Sequence, residues 1–294
     1  MKPEVVVDYR NVVGEGPLWH PAEKKLYWVD IMTGRIMRYD PASGEHRQFF
    51  QGPICGGFTM QADGSFLLFL EGPAVAELRD GKLHYLIDEL PEKPGFRFND
   101  VIADPAGRVF CGTMPTDSGK AVNDGVTGKL YRLDTDGSIR VVLYDVGLSN
   151  GMGFTPDGKQ MYYTDSLAYK IYIFDYDEAT GDITNQRVFK DVPKDGGVPD
   201  GMTVDAEGYV WSASAGGGAL YRYTPTGDDD RTIDFPTAKI VSSLTFGGAG
   251  MDEIYVTTIG GDTKAQNGEG SGALFRLNLG IKGVPDFYSR VGLS

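Results

Sequence analysis

Hydrophobic and polar positions along the chain alternate between short strand-like runs and turns. Runs such as KLYWVD (25–30), SFLLFL (65–70), MYYTD (161–165) and GYVWSA (208–213) are rich in aromatic, aliphatic and β-branched residues. Asp, Gly, Pro and Asn punctuate the stretches between them, which is the grammar of β-strands and tight turns. No long segment carries the 3.6-residue period of an amphipathic helix, so the pattern predicts an all-β protein with short helices at most.

The runs recur as one unit: an Asp/Gly turn, a short aromatic strand, a second turn, then a strand of the LYRLD type. Six instances cover residues 20–44, 61–83, 104–137, 155–181, 205–227 and 249–280, roughly forty to fifty residues apart. That period suits four-stranded propeller blades. The expectation is a single domain over residues 1–294, an all-β six-bladed β-propeller with four-stranded blades. An unclosed ring would leave an unpaired strand edge. The β-rich run EVVVDY (4–9) is therefore expected to serve as the outer strand of the last blade. A two-sheet sandwich is the alternative, and six units with the same internal order argue against it.

Composition narrows the function. Glycine is frequent, at 41 residues, and aromatics reach 12%, as a turn-rich β protein requires. A net charge of −13 argues against nucleic acid as a partner and suits a bound cation, though it also serves solubility. No run approaches 18 apolar residues and the start MKPEVVVDYR lacks an apolar leader. Neither a membrane span nor export is expected, and the location expected is cytoplasmic. Cys55 and Cys111 lack metal or redox spacing and read as reduced thiols in the interior. With only His20, His46 and His84, a histidine-rich metal centre is unsupported.

Aligning the units exposes the candidate chemistry. Leu26, Leu67, Phe110, Met161 and Trp211 open the second strand of units one to five. Eleven residues before each stand Glu15, Gly56, Asn99, Asn150 and Asp200; the sixth unit gives Ser243, or Ser242 with a one-residue shift. Equivalent positions on the inner strands of a propeller converge on its axis. Any one Asn-Gly or Asp-Gly pair is ordinarily a turn, but four oxygen-bearing side chains in one register are not explained that way. Two carboxylates meeting two amides need a cation or protons, and their oxygens suit a hard divalent ion. Such an ion could also be a structural plug without catalysis. Asp30, Glu71 and Asp165 share a second register, fifteen residues further on, and are expected to end strands.

The stretches GEGPLWHP, RFNDVIADPAGRVFCGTM, LSNGMGFTPDGKQMYYTDS, PDGMTVDAEGYVW and SSLTFGG resemble those of the SMP-30/gluconolactonase/LRE-like family, the senescence marker protein and sugar lactonase group. The resemblance runs along nearly the whole chain and implies the same six-bladed fold. It implies that Glu15, Asn150 and Asp200 bind one divalent metal ion, with Asn99 contacting metal or substrate. It further implies that Arg97 binds substrate oxygens and that Asp117 is an acidic substrate contact, although the loop around Asp117 departs from the family pattern. The implied reaction is hydrolysis of a sugar-acid lactone to the free acid. In it the metal polarises the ester carbonyl, and Asp200 is the candidate general base, with a metal-activated water as the competing source of the attacking group. Oxygen ligands favour Ca²⁺ or Mg²⁺ and admit Mn²⁺, Zn²⁺ or Fe²⁺. Two other functions fit the same site: a phosphotriesterase-like hydrolase of organophosphates, and a non-enzymatic propeller that binds a ligand around a metal.

Three further motifs dissolve in context. GLSNG (147–151) fits G-x-S-x-G, but a strand and an Asp/Gly turn follow it where a nucleophile elbow requires a helix. AGGGA (215–219) lacks the lysine of a phosphate loop, and LDTDG (133–137) lacks the ligand series of a calcium loop. The segment PTDSGKAVNDGVTG (115–128) is longer than a hairpin needs and is expected to overhang the channel as a lid.

Overall fold

The structure, a computed structural model, describes residues 2–92 and 94–292. It contains six four-stranded antiparallel sheets, each built from strands consecutive in the chain except the last. There the strand Glu4–Val7 pairs with Leu274–Asn278, so the N-terminal run supplies the outer strand of blade six and closes the ring as expected. Trp19 of blade one and Tyr255 of blade six stack across this junction, nearly parallel at 5.9 Å between ring centroids.

The inner strands are Gly14–His20, Cys55–Met60, Phe96–Ala103, Ser149–Phe154, Val198–Val204 and Val241–Gly247. Burial decreases outward within a blade. In blade two the inner strand and Phe66–Leu70 are buried throughout, whereas the outer strand Lys82–Ile87 is mostly exposed. A strand with a blade packed on each face reads as a continuous apolar run without alternation, which is why FLLFL looks as it does.

The apolar interior is divided into six clusters that follow the blade interfaces. Trp19, Trp28 and Met37 of blade one meet Tyr255 and Leu274 of blade six. Leu18 and Tyr27 meet Phe58 and Phe66 of blade two on the opposite face of blade one. Packing therefore holds the blades to one another and leaves the axis free of a hydrophobic core.

Buried aspartates tie the blade corners together. Asp205 is fully buried and accepts hydrogen bonds from Trp211 Nε1 (2.9 Å) and Arg222 Nε (2.9 Å). Asp104 accepts from Arg108 Nε (2.7 Å) and from the Tyr176 hydroxyl (2.7 Å), linking blade three to blade four. Asp165 accepts from the backbone N–H groups of Gly147 and Leu148, and Asp30 from that of Val13. Both lie at strand ends, as the second register predicts.

Two elements add to the sequence reading. The segment 115–128, expected as a lid, contains a short helix, Ser118–Asp124, capped by Asp117 and ended by Gly125 at φ 65°. Beyond the last blade, residues 281–292 cross the face onto which the inner strands run out. Ser289 N–H donates to Met60 O (2.8 Å), Gln61 Nε2 to Val291 O (2.8 Å) and Arg290 N–H to Gly107 O (2.8 Å). This strap joins blades two and three to blade six and has no counterpart in the repeat. Cys55 and Cys111 are free and buried, as expected. Among the described residues no helix is long and apolar enough to cross a membrane.

Candidate functional site

Every inner strand slips its register against the second strand at one level of the channel. The slips fall between Glu15 and Leu18, Cys55 and Gly57, Phe98 and Val101, Ser149 and Met152, Pro199 and Met202, and Val241 and Ser243. Such a bulge sets an extra residue against its partner strand and re-aims the side chains around it. Six bulges at one level turn six short segments towards the axis together. Glu15, Asn99, Asn150 and Asp200 are all at this level, and each is 5–7% exposed. Gly56 and Ser242 hold the same place in blades two and six. Ser242, rather than Ser243, is the bulge residue, and its hydroxyl donates to Gly14 O (2.6 Å).

The polar groups are joined in a directed chain. Arg97 Nη1 donates to Asn99 Oδ1 (2.7 Å), and Asn99 Nδ2 donates to Asn150 Oδ1 (2.6 Å) and to Ser149 O (2.7 Å). Asn150 Nδ2 in turn donates to Ser166 Oγ (2.7 Å), whose hydroxyl donates to Pro199 O (2.6 Å), the residue before Asp200. An arginine can only donate and a carbonyl can only accept, so the two ends fix the direction of every bond between them.

The carboxylates are electrostatically strained. Burial, then the charges of Asp200 and Asp100, hold the Glu15 carboxyl well above the usual range. Burial, then Asp100, does the same to Asp200, opposed by the Gly201 N–H and by Arg97. Asp100 itself is raised to about 7 by burial, with Arg97 pulling the other way. Arg97 is buried rather than a surface arginine; desolvation brings its guanidinium down to about 10, so it remains charged at neutral pH. Its Nε has no hydrogen-bond partner.

This donor set suits one hard divalent cation. Two buried carboxylates pushed towards protonation, beside an amide oxygen held in place, are what a cation would relieve. Among the described residues no three His, Cys, Asp or Glu side chains gather as a metal cluster. With Glu15, Asn99, Asn150 and Asp200 the ring offers carboxylate and amide oxygens, where a structural zinc centre uses thiolates or imidazoles.

Asp117 stands apart. It is exposed, and its carboxylate accepts from the Gly119 N–H (3.0 Å) as the helix cap. Asp100 and Ser166 were not singled out by the sequence register. A count of one residue per blade finds the first bulge residue of blade three and passes over the second; the only signal for Asp100 is its place beside Asn99. On the far side of the ring lies a chamber of about 450 Å³, lined by Asp100, Phe58, Phe154 and Leu244 among others and by the strap residues Val284–Phe287.

A six-bladed propeller with an axial ring of oxygen donors defines a class of protein, and comparison with known sequences narrows it. The model of the SMP-30/gluconolactonase/LRE-like region matches residues 13–260, and the chain belongs to that family. It is 46% identical to pentonolactonase XacC of Haloferax volcanii and 35% identical to regucalcin of Danio rerio, in both cases over 98% of each chain. Among solved structures it resembles a regucalcin of Agrobacterium tumefaciens, described as a calcium-binding protein, with a TM-score of 0.87. That likeness has 25% identity and covers 98% of this chain and 97% of the other.

Proposed function

We propose that this protein hydrolyses a sugar-acid lactone, a small-molecule aldono-lactone, at the axial ring, with one divalent cation as cofactor. The observation that carries the reading is the convergence of Glu15, Asn150 and Asp200 beside Arg97 and Asn99 at one level of the channel. The similarity to a pentonolactonase supports a lactone as substrate and favours a five-carbon one.

Glu15, Asn150 and Asp200 would hold the ion, with Asn99 beside them. When bound, the ion supplies a Lewis acid that polarises the ester carbonyl. Arg97 and Asn99 orient the lactone through its hydroxyl and ring oxygens; the unpartnered Arg97 Nε leaves a donor for that task. Asp200 accepts a proton from water as the water oxygen bonds to the carbonyl carbon, and its raised affinity for protons suits that role. The ring C–O bond then breaks, the departing oxygen takes back the proton held by Asp200, and a hydroxy acid is released. Asp117 caps the helix at Ser118–Asp124 through one carboxylate oxygen, so a substrate contact by Asp117 would fall to its other oxygen.

The direct test is a substrate panel on chelated protein. Pentono- and hexono-lactone hydrolysis is expected to vanish on chelation and to return with Ca²⁺, Mg²⁺ or Mn²⁺. Hydrolysis of an organophosphate triester alone would replace the lactone reading. Metal binding without turnover on either substrate would favour a ligand-binding propeller.

The raised carboxyls also predict a pH dependence. The folded ring binds protons that the unfolded chain has released, from near pH 4 up to about 7 for Asp100. This contribution therefore lowers the stability of the metal-free protein as pH rises through that window. A cation competes with those protons, so the rise in Tm on adding saturating Ca²⁺ is expected to be larger at pH 8 than at pH 5.5. An equal rise at both pH values would count against carboxylate ligation.

A further inference from the structure

We infer that Ser166 is a positioning residue that, from the side opposite Asn99, sets which end of the Asn150 amide faces the axis; this rests on the proposed cation site. An asparagine amide is nearly symmetric in shape, yet its two ends are opposite in polarity. Turned one way, Asn150 offers an oxygen to a cation; turned the other way, it offers an N–H₂ that repels one. Ser166 is fully buried, immediately after the second strand of blade four, Gln160–Asp165. Its hydroxyl proton is committed to Pro199 O at 2.6 Å, a group that can only accept. Towards Asn150 the Ser166 oxygen therefore has only lone pairs, and at 2.7 Å it must receive the Nδ2 hydrogen. Oδ1 is left on the side where Asn99 donates to it at 2.6 Å, the side of the ring.

The same hydroxyl spans two blades. Asn150 belongs to blade four and Pro199 precedes Asp200 in blade five, so Ser166 ties together the strands that carry two of the proposed ligands. Ser166 touches neither reacting atoms nor, in this arrangement, the cation. It acts through Asn150.

The test is a double-mutant cycle read as cation affinity. Chelated wild type, Ser166→Ala, Asn150→Ala and the double variant are titrated with Ca²⁺ by calorimetry, with Tm measured on each metal-free protein. Loss of an outer hydrogen bond to a ligand typically weakens metal affinity 10- to 100-fold, and Ser166→Ala is expected to fall in that range. In the Asn150→Ala background the same change is expected to alter Kd less than twofold, because no amide remains to orient. Ser166→Thr, which keeps the hydroxyl, should recover most of the affinity; it provides a second reading if the alanine variant folds poorly. Equal losses of affinity in both backgrounds, or a lower Tm with unchanged Kd, would overturn the inference while leaving the cation site intact. A wild type that binds no divalent cation would overturn the cation site itself, and the inference with it.

Discussion

Asp200→Asn is expected to fold, to retain a cation and to lose lactone hydrolysis by about three orders of magnitude, within the range that a positioned general base contributes. The substitution keeps an oxygen at the ring and the shape of the side chain, but removes the group that can accept a proton. Its effect on stability should run opposite to its effect on activity. Burial and the neighbouring Asp100 charge raise Asp200's affinity for protons, and its own charge does the same to Glu15. A neutral amide relieves that repulsion, so the metal-free variant should melt no lower than wild type at pH 8. The loss should lie in kcat, with KM little changed, because Arg97 and Asn99 are untouched. Wild-type kcat with metal bound would remove Asp200 from the role of base and leave it as a ligand only.

The propeller was legible in the sequence because each blade repeats both its turn grammar and its strand spacing. Ring closure was legible because an unpaired edge must be covered and residues 4–9 form a β-rich run ahead of the first unit. The ring residues followed from the same repeat, since one offset from the second strand applies to five blades. What escaped the reading lacks a repeat partner or depends on three-dimensional direction. Asp100 is the second residue of a bulge whose counterparts in blades four and five are glycines. The strap at 281–292 occurs once, so no comparison between units could reveal it. The burial of Arg97 depends on its lying within the inner strand of blade three, alongside Glu71, rather than on the charge its letter announces. The orientation of Asn150 follows from Ser166, sixteen residues on, through a bond that has meaning only once blades four and five are side by side.

Gly56→Ala is expected to damage the protein more than any other single methyl added at the ring, by about 3 kcal/mol of stability, the upper end of what overpacking usually costs. In the register of Glu15, Asn99, Asn150 and Asp200 the second blade offers no oxygen, and the geometry explains why. A Cβ at Gly56 would overlap the Phe98 carbonyl oxygen, approach the Phe98 carbonyl carbon to 2.5 Å and lie 2.9 Å from the Asn99 nitrogen. All three are backbone atoms, so no rotamer change can relieve the contact. Blade two must back away from blade three, or the strand carrying Arg97 and Asn99 must shift. Gly57 provides the control. A Cβ there first meets a Val101 methyl at 3.0 Å, which a small side-chain adjustment can absorb, and its one backbone neighbour, the Asn99 carbonyl oxygen, is at 3.1 Å, farther than any of the three at Gly56. Gly57→Ala should therefore have the smaller effect on Tm. If the close approach of blades two and three positions Arg97 and Asn99, Gly56→Ala should also raise KM for the lactone beyond what its lower stability explains, measured well below its melting temperature. A Gly56→Ala protein with wild-type Tm and KM would mean that the two blades can separate freely at the ring, and that the glycine has no part in setting the site.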